Sequence, residues 1–212
     1  MSGAASARGR FITLEGGDGS GKSTQSARLA EWLEAQGRQV VHAREPGGTE
    51  LGLEIRHLVM HRRGDVAPRA EALLYAADRA HNIATVVRPA LEAGAVVIQD
   101  RYLDSSVAYQ GAGRELDPEE VRRISLWATE GLLPDLTILL DLDPAVGRTR
   151  MDAAPRVYDR LEEVGGGFPA RVRAAYLRIA AAEPDRFLVL DATLPVEELV
   201  ARIRERVSAL LS

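Results

Sequence analysis

Phe11-Ile12-Thr13-Leu14-Glu15-Gly16-Gly17-Asp18-Gly19-Ser20-Gly21-Lys22-Ser23-Thr24-Gln25 is the stretch that decides the fold. It opens on a short apolar run, and the eight residues from Gly16 to Ser23 fit the spacing G-x-x-x-x-G-K-[ST]. A stretch with helical spacing, residues 23–36, begins where the pattern ends. A strand that breaks into a glycine-rich turn and then opens a helix is built to hold phosphate. The glycines let successive N–H groups curl around phosphate oxygens, and the helix presents its positive end. Lys22 is then expected to reach the β- and γ-phosphates, and the Ser23 hydroxyl to face Mg²⁺. This much indicates binding of a nucleoside triphosphate and leaves open what the triphosphate is used for.

Working outward, four further apolar runs of similar length appear at 39–42, 95–98, 136–140 and 186–190, each bounded by turn or polar residues. Longer stretches with helical spacing, such as 69–93, lie between them. Near-continuous apolar strands alternating with helices predict a parallel sheet covered on both faces. The expected fold is therefore α/β: a three-layer P-loop NTPase fold, with a five-stranded parallel sheet flanked by helices. Right-handed crossovers place the strand C-termini on one edge, where ligands bind. Arg44-Glu45-Pro46-Gly47-Gly48 follows the second run, Asp100-Arg101-Tyr102 the third, and Asp141 and Asp143 the fourth. Unrelated surface loops would not concentrate Gly, Arg and Asp in this way.

Bulk properties narrow the function classes. A chain of 212 residues can bury one substantial core, expected as one domain over 10–212. The formal net charge of −4 and a pI near 5.7 give no electrostatic reason to expect a nucleic-acid partner. Without cysteine there are no disulfides or thiolate metal sites, which suits a reducing cytosol. Residues 1–9 are small and polar, expected as a disordered tail rather than a secretory signal. No apolar run approaches the length of about 18 residues that a membrane span needs, and no internal repeat is found.

Two classes compete for the triphosphate: a kinase acting on a small acceptor, and a nucleotide-dependent switch or binding module. A guanine-reading switch carries N-K-x-D, which is absent. A kinase needs a second anion site with its own arginines, and Arg44, Arg56, Arg79 and Arg101 stand beside strand ends or on helices leading from them. Asp-Arg directly after a buried run is an improbable place for an idle charge pair. Asp100 is expected either to orient Arg101 or to help hold the shell of Mg²⁺.

Residues 11–25, Arg44-Glu45-Pro46-Gly47-Gly48-Thr49, Leu73-Leu74-Tyr75-Ala76-Ala77-Asp78-Arg79 and Asp100-Arg101-Tyr102-Leu103-Asp104-Ser105-Ser106-Val107-Ala108-Tyr109-Gln110-Gly111 together resemble the bacterial thymidylate kinases. Pro134-Asp135-Leu136-Thr137-Ile138-Leu139-Leu140-Asp141 continues the likeness. The resemblance implies transfer of a phosphoryl group from ATP, with Mg²⁺, to dTMP in the formation of dTTP. It implies ATP contacts from Gly16, Gly17, Asp18, Gly19, Ser20, Gly21, Lys22, Ser23, Thr24 and Arg150. Asp18 is the acidic position facing the acceptor sugar and its phosphate. Glu45 and Pro46 line the acceptor site, Arg56 and Arg101 hold the acceptor phosphate, and Arg79 bonds the thymine ring. Ser106 and Gln110 contact the base, Tyr109 faces the 2′ position of the sugar, and Tyr75 supplies the stacking ring where many members carry phenylalanine. Ser23 and Asp100 are the metal positions.

Residues 148–168 read as a mobile lid, rich in arginine (148, 150, 156, 160) and closed by Gly165-Gly166-Gly167. The phosphate loop carries no arginine, so the resemblance is to the version of the family with catalytic arginines in the lid. Arg160, within Asp159-Arg160-Leu161-Glu162, aligns best with the lid motif, and Arg156 is the second choice. Lys22, Arg101, Asp18 and these two form the expected catalytic set. An acceptor phosphate is already an anion, so no general base is needed. His42, His57, His61 and His81 show no metal-ligand spacing and read as structural or surface residues. The family is generally homodimeric through helices that follow the second and third strands. Another nucleoside monophosphate or deoxynucleoside kinase is the runner-up.

Overall fold

The computed structural model describes residues 8–61, 65–153 and 167–212. Strands β1 (Arg10–Glu15), β2 (Val40–Arg44), β3 (Val96–Asp100), β4 (Leu136–Asp141) and β5 (Phe187–Asp191) form one sheet in the order β2-β3-β1-β4-β5. Every pairing between them is parallel. The five apolar runs in the sequence are these strands, displaced by no more than two residues at any end.

Alternation along the strands divides the interior in two, because successive side chains point to opposite faces. Ile12, Leu14, Ile98, Ile138 and Leu140 face α1 (Lys22–Ala35) and α9 (Val196–Leu211), packing on Leu29, Leu33, Leu199, Ile203 and Val207. On the other face, Phe11, Ala43 and Val97 meet Ile83, Val87 and Leu91. Ile83 and Val87 belong to a π-type turn over Ile83–Val87 and Leu91 to α4 (Arg88–Glu92); with α3 (Pro68–Asn82) before them, these run on without a break as the long helical stretch expected at 69–93. Leu139 packs with Tyr109, Phe168 and Tyr176 on the same side. These come from a π-type segment over Val107–Gly113 that continues α5 (Leu103–Ser106), and from α8 (Phe168–Ala182). The remaining helices are α2 (Glu50–Arg56), α6 (Pro118–Ala128) and α7 (Pro144–Asp152).

Of the tail expected at 1–9, residues 1–7 lie outside the described residues. Gly9 is already part of the fold: its N–H donates to the Leu91 carbonyl at 2.8 Å, and a Cβ there would stand 1.9 Å from the Ala95 carbonyl oxygen. Of the expected lid, Arg148 and Arg150 belong to α7, and Phe168 begins α8 behind Gly167, whose φ is 77°. Arg156, Arg160 and the glycines 165 and 166 lie outside the described residues. No helix among the described residues is long and apolar enough to cross a membrane.

Candidate active site

Parallel register carries the chemistry to one sheet edge. Arg44 of β2 pairs with Asp100 of β3, and Asp100 pairs with Leu14 of β1, so the segments that follow all three strands emerge together. A cavity of about 690 Å³ opens there. Eighteen of the candidate residues named from the sequence line it: Asp18, Gly19, Gly21, Lys22, Ser23, Thr24, Arg44, Glu45, Pro46, Arg56, Tyr75, Arg79, Asp100, Arg101, Ser106, Tyr109, Gln110 and Arg150.

The phosphate loop forms one wall. Gly16, Gly19 and Gly21 have φ of 137°, 75° and 94°, a region that side chains other than glycine rarely adopt. A Cβ on Gly16 would stand 2.5 Å from the Leu140 carbonyl oxygen, so the loop lies directly on the end of β4. Lys22 Nζ donates to the carbonyls of Gly16 and Gly17 at 3.1 and 2.9 Å, which holds the ammonium inside the loop. Burial, and then the nearby Arg101 charge, pull its pKa down to about 8. Gly21 caps α1 in the left-handed conformation with no side-chain hydrogen bond, so no side chain competes for the first-turn N–H groups. Ser20 is buried under the loop, its hydroxyl without a hydrogen-bond partner among the described residues. At the rim, Arg150 donates to the carbonyls of Gly19 and Ala192 at 3.3 and 2.9 Å.

Arg101 stands at the centre. Its Nη2 donates to Asp18 Oδ1 at 2.5 Å and its Nη1 to Gly16 O at 3.2 Å, while the guanidinium lies 4.9 Å from the Tyr109 ring centroid. Sequence reasoning gave Asp100 as a possible partner for this arginine. The guanidinium instead turns to Asp18, and Asp100 Oδ1 is buried with no hydrogen-bond partner among the described residues. The reason lies in the backbone: Arg101 has φ of 64°, which swings its side chain across β1 toward the phosphate loop.

The wall opposite the loop is a buried donor network. Arg79, only 1% exposed, donates to Glu45 Oε2 at 2.7 Å, Ser125 Oγ at 3.0 Å, Ser106 Oγ at 3.0 Å and the Tyr102 carbonyl at 3.2 Å. Glu45, joined to Pro46 by a cis peptide bond, also accepts from Asn82 and Gln99. Burial acts to raise the Glu45 pKa and the Arg79 charge acts to lower it. Arg56 donates to the Pro46 carbonyl at 3.0 Å. Tyr75 and Tyr109 present buried rings to the same space, and Tyr109 Oη donates to Asp18 Oδ2 at 3.4 Å. Of the histidines, His42, His57 and His61 are exposed and His81 is half-buried; none lines the cavity.

Sequence reasoning gave no individual role to several residues that build this site. Glu15 is fully buried and accepts from Tyr102 N, Ser105 Oγ and Tyr176 Oη at 2.7, 2.6 and 2.8 Å. Burial, and then the Asp104 charge, push its pKa up to about 7. A charged residue ending an apolar strand was the available signal for Glu15, whereas Tyr176 on α8 has no motif beside it. Met60 and Met151 line the cavity with equally little local signal.

The geometry is that of a phosphate cradle facing a second, arginine-rich pocket, and the chain is similar in sequence to known proteins over most of its length. A family model described as thymidylate kinase matches residues 14–203. The thymidylate kinase of Leifsonia xyli subsp. xyli is 71% identical over 198 residues, covering 93% of this chain and 94% of that protein. That of Clavibacter michiganensis subsp. michiganensis is 67% identical over 204 residues, covering 96% and 97%. The similarity extends to Deinococcus radiodurans, whose thymidylate kinase is 53% identical over 202 residues, covering 95% and 97%.

Proposed function

Because the chain belongs to the thymidylate kinase family and is an ATP-dependent nucleoside monophosphate kinase, we propose that it moves the γ-phosphoryl of MgATP onto dTMP, giving dTDP and ADP. The observation that carries this reading is a single cavity joining Lys22 and the phosphate loop to Arg79, Ser106 and Gln110, with Asp18 and Arg101 between them.

Phosphoryl transfer asks the protein to align two nucleotides and neutralise charge on the moving group. Lys22 and Arg101 serve that task from the described wall; a lid arginine, Arg160 by alignment, with Arg156 as the second choice, is assigned to the transferring group, and both of these lie outside the described residues. Arg56 and Arg101 take the acceptor phosphate. Arg79 and Gln110 read the base, Tyr75 stacks on it, and Tyr109 crowds the 2′ position.

Mg²⁺ is assigned to Ser23 and Asp100. A hard cation fits the unpartnered buried Oδ1 of Asp100 and a neighbouring hydroxyl. No cluster of three or more His, Cys, Asp or Glu among the described residues could hold a metal alone, so phosphate oxygens and water complete the shell. Bound there, the ion neutralises charge that develops on the phosphates.

A homodimer through α2, α3 and α6 is part of the same proposal. Leu51, Leu53 and Leu58 of the α2 region, Leu73 of α3 and Trp127 of α6 are large apolar side chains left exposed, Trp127 at 83%. A soluble monomer seldom leaves such a set uncovered.

The test is ADP release coupled to a readout, with MgATP and dTMP, dUMP, dCMP, dGMP or thymidine offered separately. Strong turnover with dTMP and none with thymidine is expected. Activity only with another acceptor would overturn the acceptor assignment, and slow hydrolysis indifferent to every acceptor would overturn the kinase reading.

A further inference from the structure

Gln110 lines the cavity one helical turn beyond Ser106, the residue that accepts from Arg79. Its amide is held from behind. Nε2 donates at 3.0 Å to Oε1 of Glu71, a carboxylate from α3 with no solvent exposure. Arg114 donates to both Glu71 oxygens, from Nε at 3.3 Å and from Nη2 at 3.1 Å. Both Glu71 oxygens therefore serve as acceptors of the Arg114 fork, and it is as an acceptor that the carboxylate meets Gln110.

That restriction determines which way the amide faces. With NH₂ toward Glu71, Gln110 makes a hydrogen bond; turned over, its carbonyl oxygen would face an oxygen already accepting from Arg114, acceptor against acceptor across the same gap. The orientation leaves Oε1 as the free end of the amide, and it accepts no hydrogen bond among the described residues.

We propose that Glu71 and Arg114 are a positioning pair that locks Gln110 with its carbonyl toward the base. The site would then read the hydrogen at N3 of the pyrimidine. Thymine and uracil carry N–H there and satisfy the carbonyl. Cytosine carries a lone pair at N3, which meets another acceptor. Neither residue touches substrate: both act through Gln110, and the 5-methyl group plays no part. This inference rests on the proposed dTMP reading and adds a selectivity filter to it.

The experiment compares kcat/KM for dTMP, dUMP and dCMP in the full chain and in Glu71→Gln, Gln110→Met and the double variant. A glutamine at 71 keeps the shape but can donate as well as accept, so Gln110 is free to turn. Glu71→Gln is expected to lower the dTMP:dCMP ratio about tenfold, the scale set by one misdirected hydrogen bond, and to leave the dTMP:dUMP ratio unchanged. In the Gln110→Met background the same change should no longer move the ratio, because the two act as a unit. A merely structural role would lower all three substrates in parallel. The combined variant Glu71→Gln/Arg114→Gln removes both charges and carries the same comparison should the lone Arg114 charge disturb folding. Wild type that prefers dTMP, together with variants that keep the dTMP:dCMP ratio within twofold, overturns the positioning role alone. Wild type that ignores dTMP overturns the functional reading beneath it.

Discussion

Arg101 Nη2 stands 2.5 Å from Asp18 Oδ1, so a residue that follows β3 grips the phosphate loop that follows β1. The pair is only partly exposed, and Arg101 adopts a left-handed backbone, φ 64°, to make it. A side chain in that region costs on the order of 1 kcal/mol. Here the Arg101 N–H to the Leu14 carbonyl at 3.0 Å and the Tyr109 ring against the guanidinium help offset it.

Arg101→Lys tests what the pair is for. A lysine keeps the charge but loses the planar fork that spans Asp18 and Gly16 together. We expect kcat to fall about 10²-fold, the usual scale for one lost transition-state donor. Retention of kcat within threefold would remove Arg101 from the reacting centre.

Glu15 makes stability depend on pH in a direction opposite to the usual carboxylate. Its folded pKa, about 7, lies above the ordinary 4.5 because the group is buried. Between those two values the folded chain holds a proton that the unfolded chain has lost. The folded state is therefore favoured at low pH, and that advantage disappears as pH rises from about 4.5 through about 7. Glu15→Gln removes the titration while keeping an acceptor for Tyr102 N. Measured by denaturant unfolding, wild type should lose up to about 3 kcal/mol relative to Glu15→Gln between pH 5 and pH 8. Parallel pH profiles would show that Glu15 is ionised in the folded state throughout.

The strands, the phosphate loop and most of the cavity were legible in the sequence, and the reason is physical. Each rests on a local signal: a run of four or five apolar residues, glycines at fixed offsets, or a charged motif at a strand end. What escaped depends on distant pairings. Tyr176 reaches Glu15 across 161 residues of sequence, and nothing near position 176 announces it. Arg101 was legible as functional, but its partner was not, because Asp100 is adjacent in sequence whereas Asp18 is adjacent only in the fold. The continuity of α3 with α4 was readable from spacing, whereas the π-type turn at Ile83–Val87 that joins them was not.

Lys22 is the one lysine in the chain, every other basic side chain of the Lys and Arg total being arginine. With its pKa pulled down to about 8, a sizeable fraction of its amine is neutral and nucleophilic in mildly alkaline buffer. An amine-directed acylating reagent at pH 8 should therefore mark a single side chain, detected by mass spectrometry, besides the α-amino group. Activity should fall in step with that mark, and ATP should protect both. Full activity in protein acylated at Lys22 would contradict the role proposed for it at the transferred phosphate.

Gly147 gives a prediction that no motif suggested. It lies inside α7, where glycine ordinarily costs about 1 kcal/mol relative to alanine. A Cβ on it would stand 2.5 Å from the Asp18 carbonyl oxygen, and a Cβ on Gly19 would stand 2.5 Å from the Gly147 carbonyl oxygen. Both contacts are backbone against backbone, so no flexible side chain can yield. Helix α7 thus seats the phosphate loop by direct approach, and alanine at 147 would gain helix propensity only by pushing the loop away. Gly147→Ala is expected to raise the KM for ATP at least fivefold, a loss of about 1 kcal/mol. The KM for the acceptor should rise less, because Asp18 belongs to the displaced loop but Arg79 and Gln110 stand on other elements. Steady-state kinetics with each substrate varied in turn reads that split. Equal rises in both constants would mean that α7 supports the whole cavity rather than the loop alone.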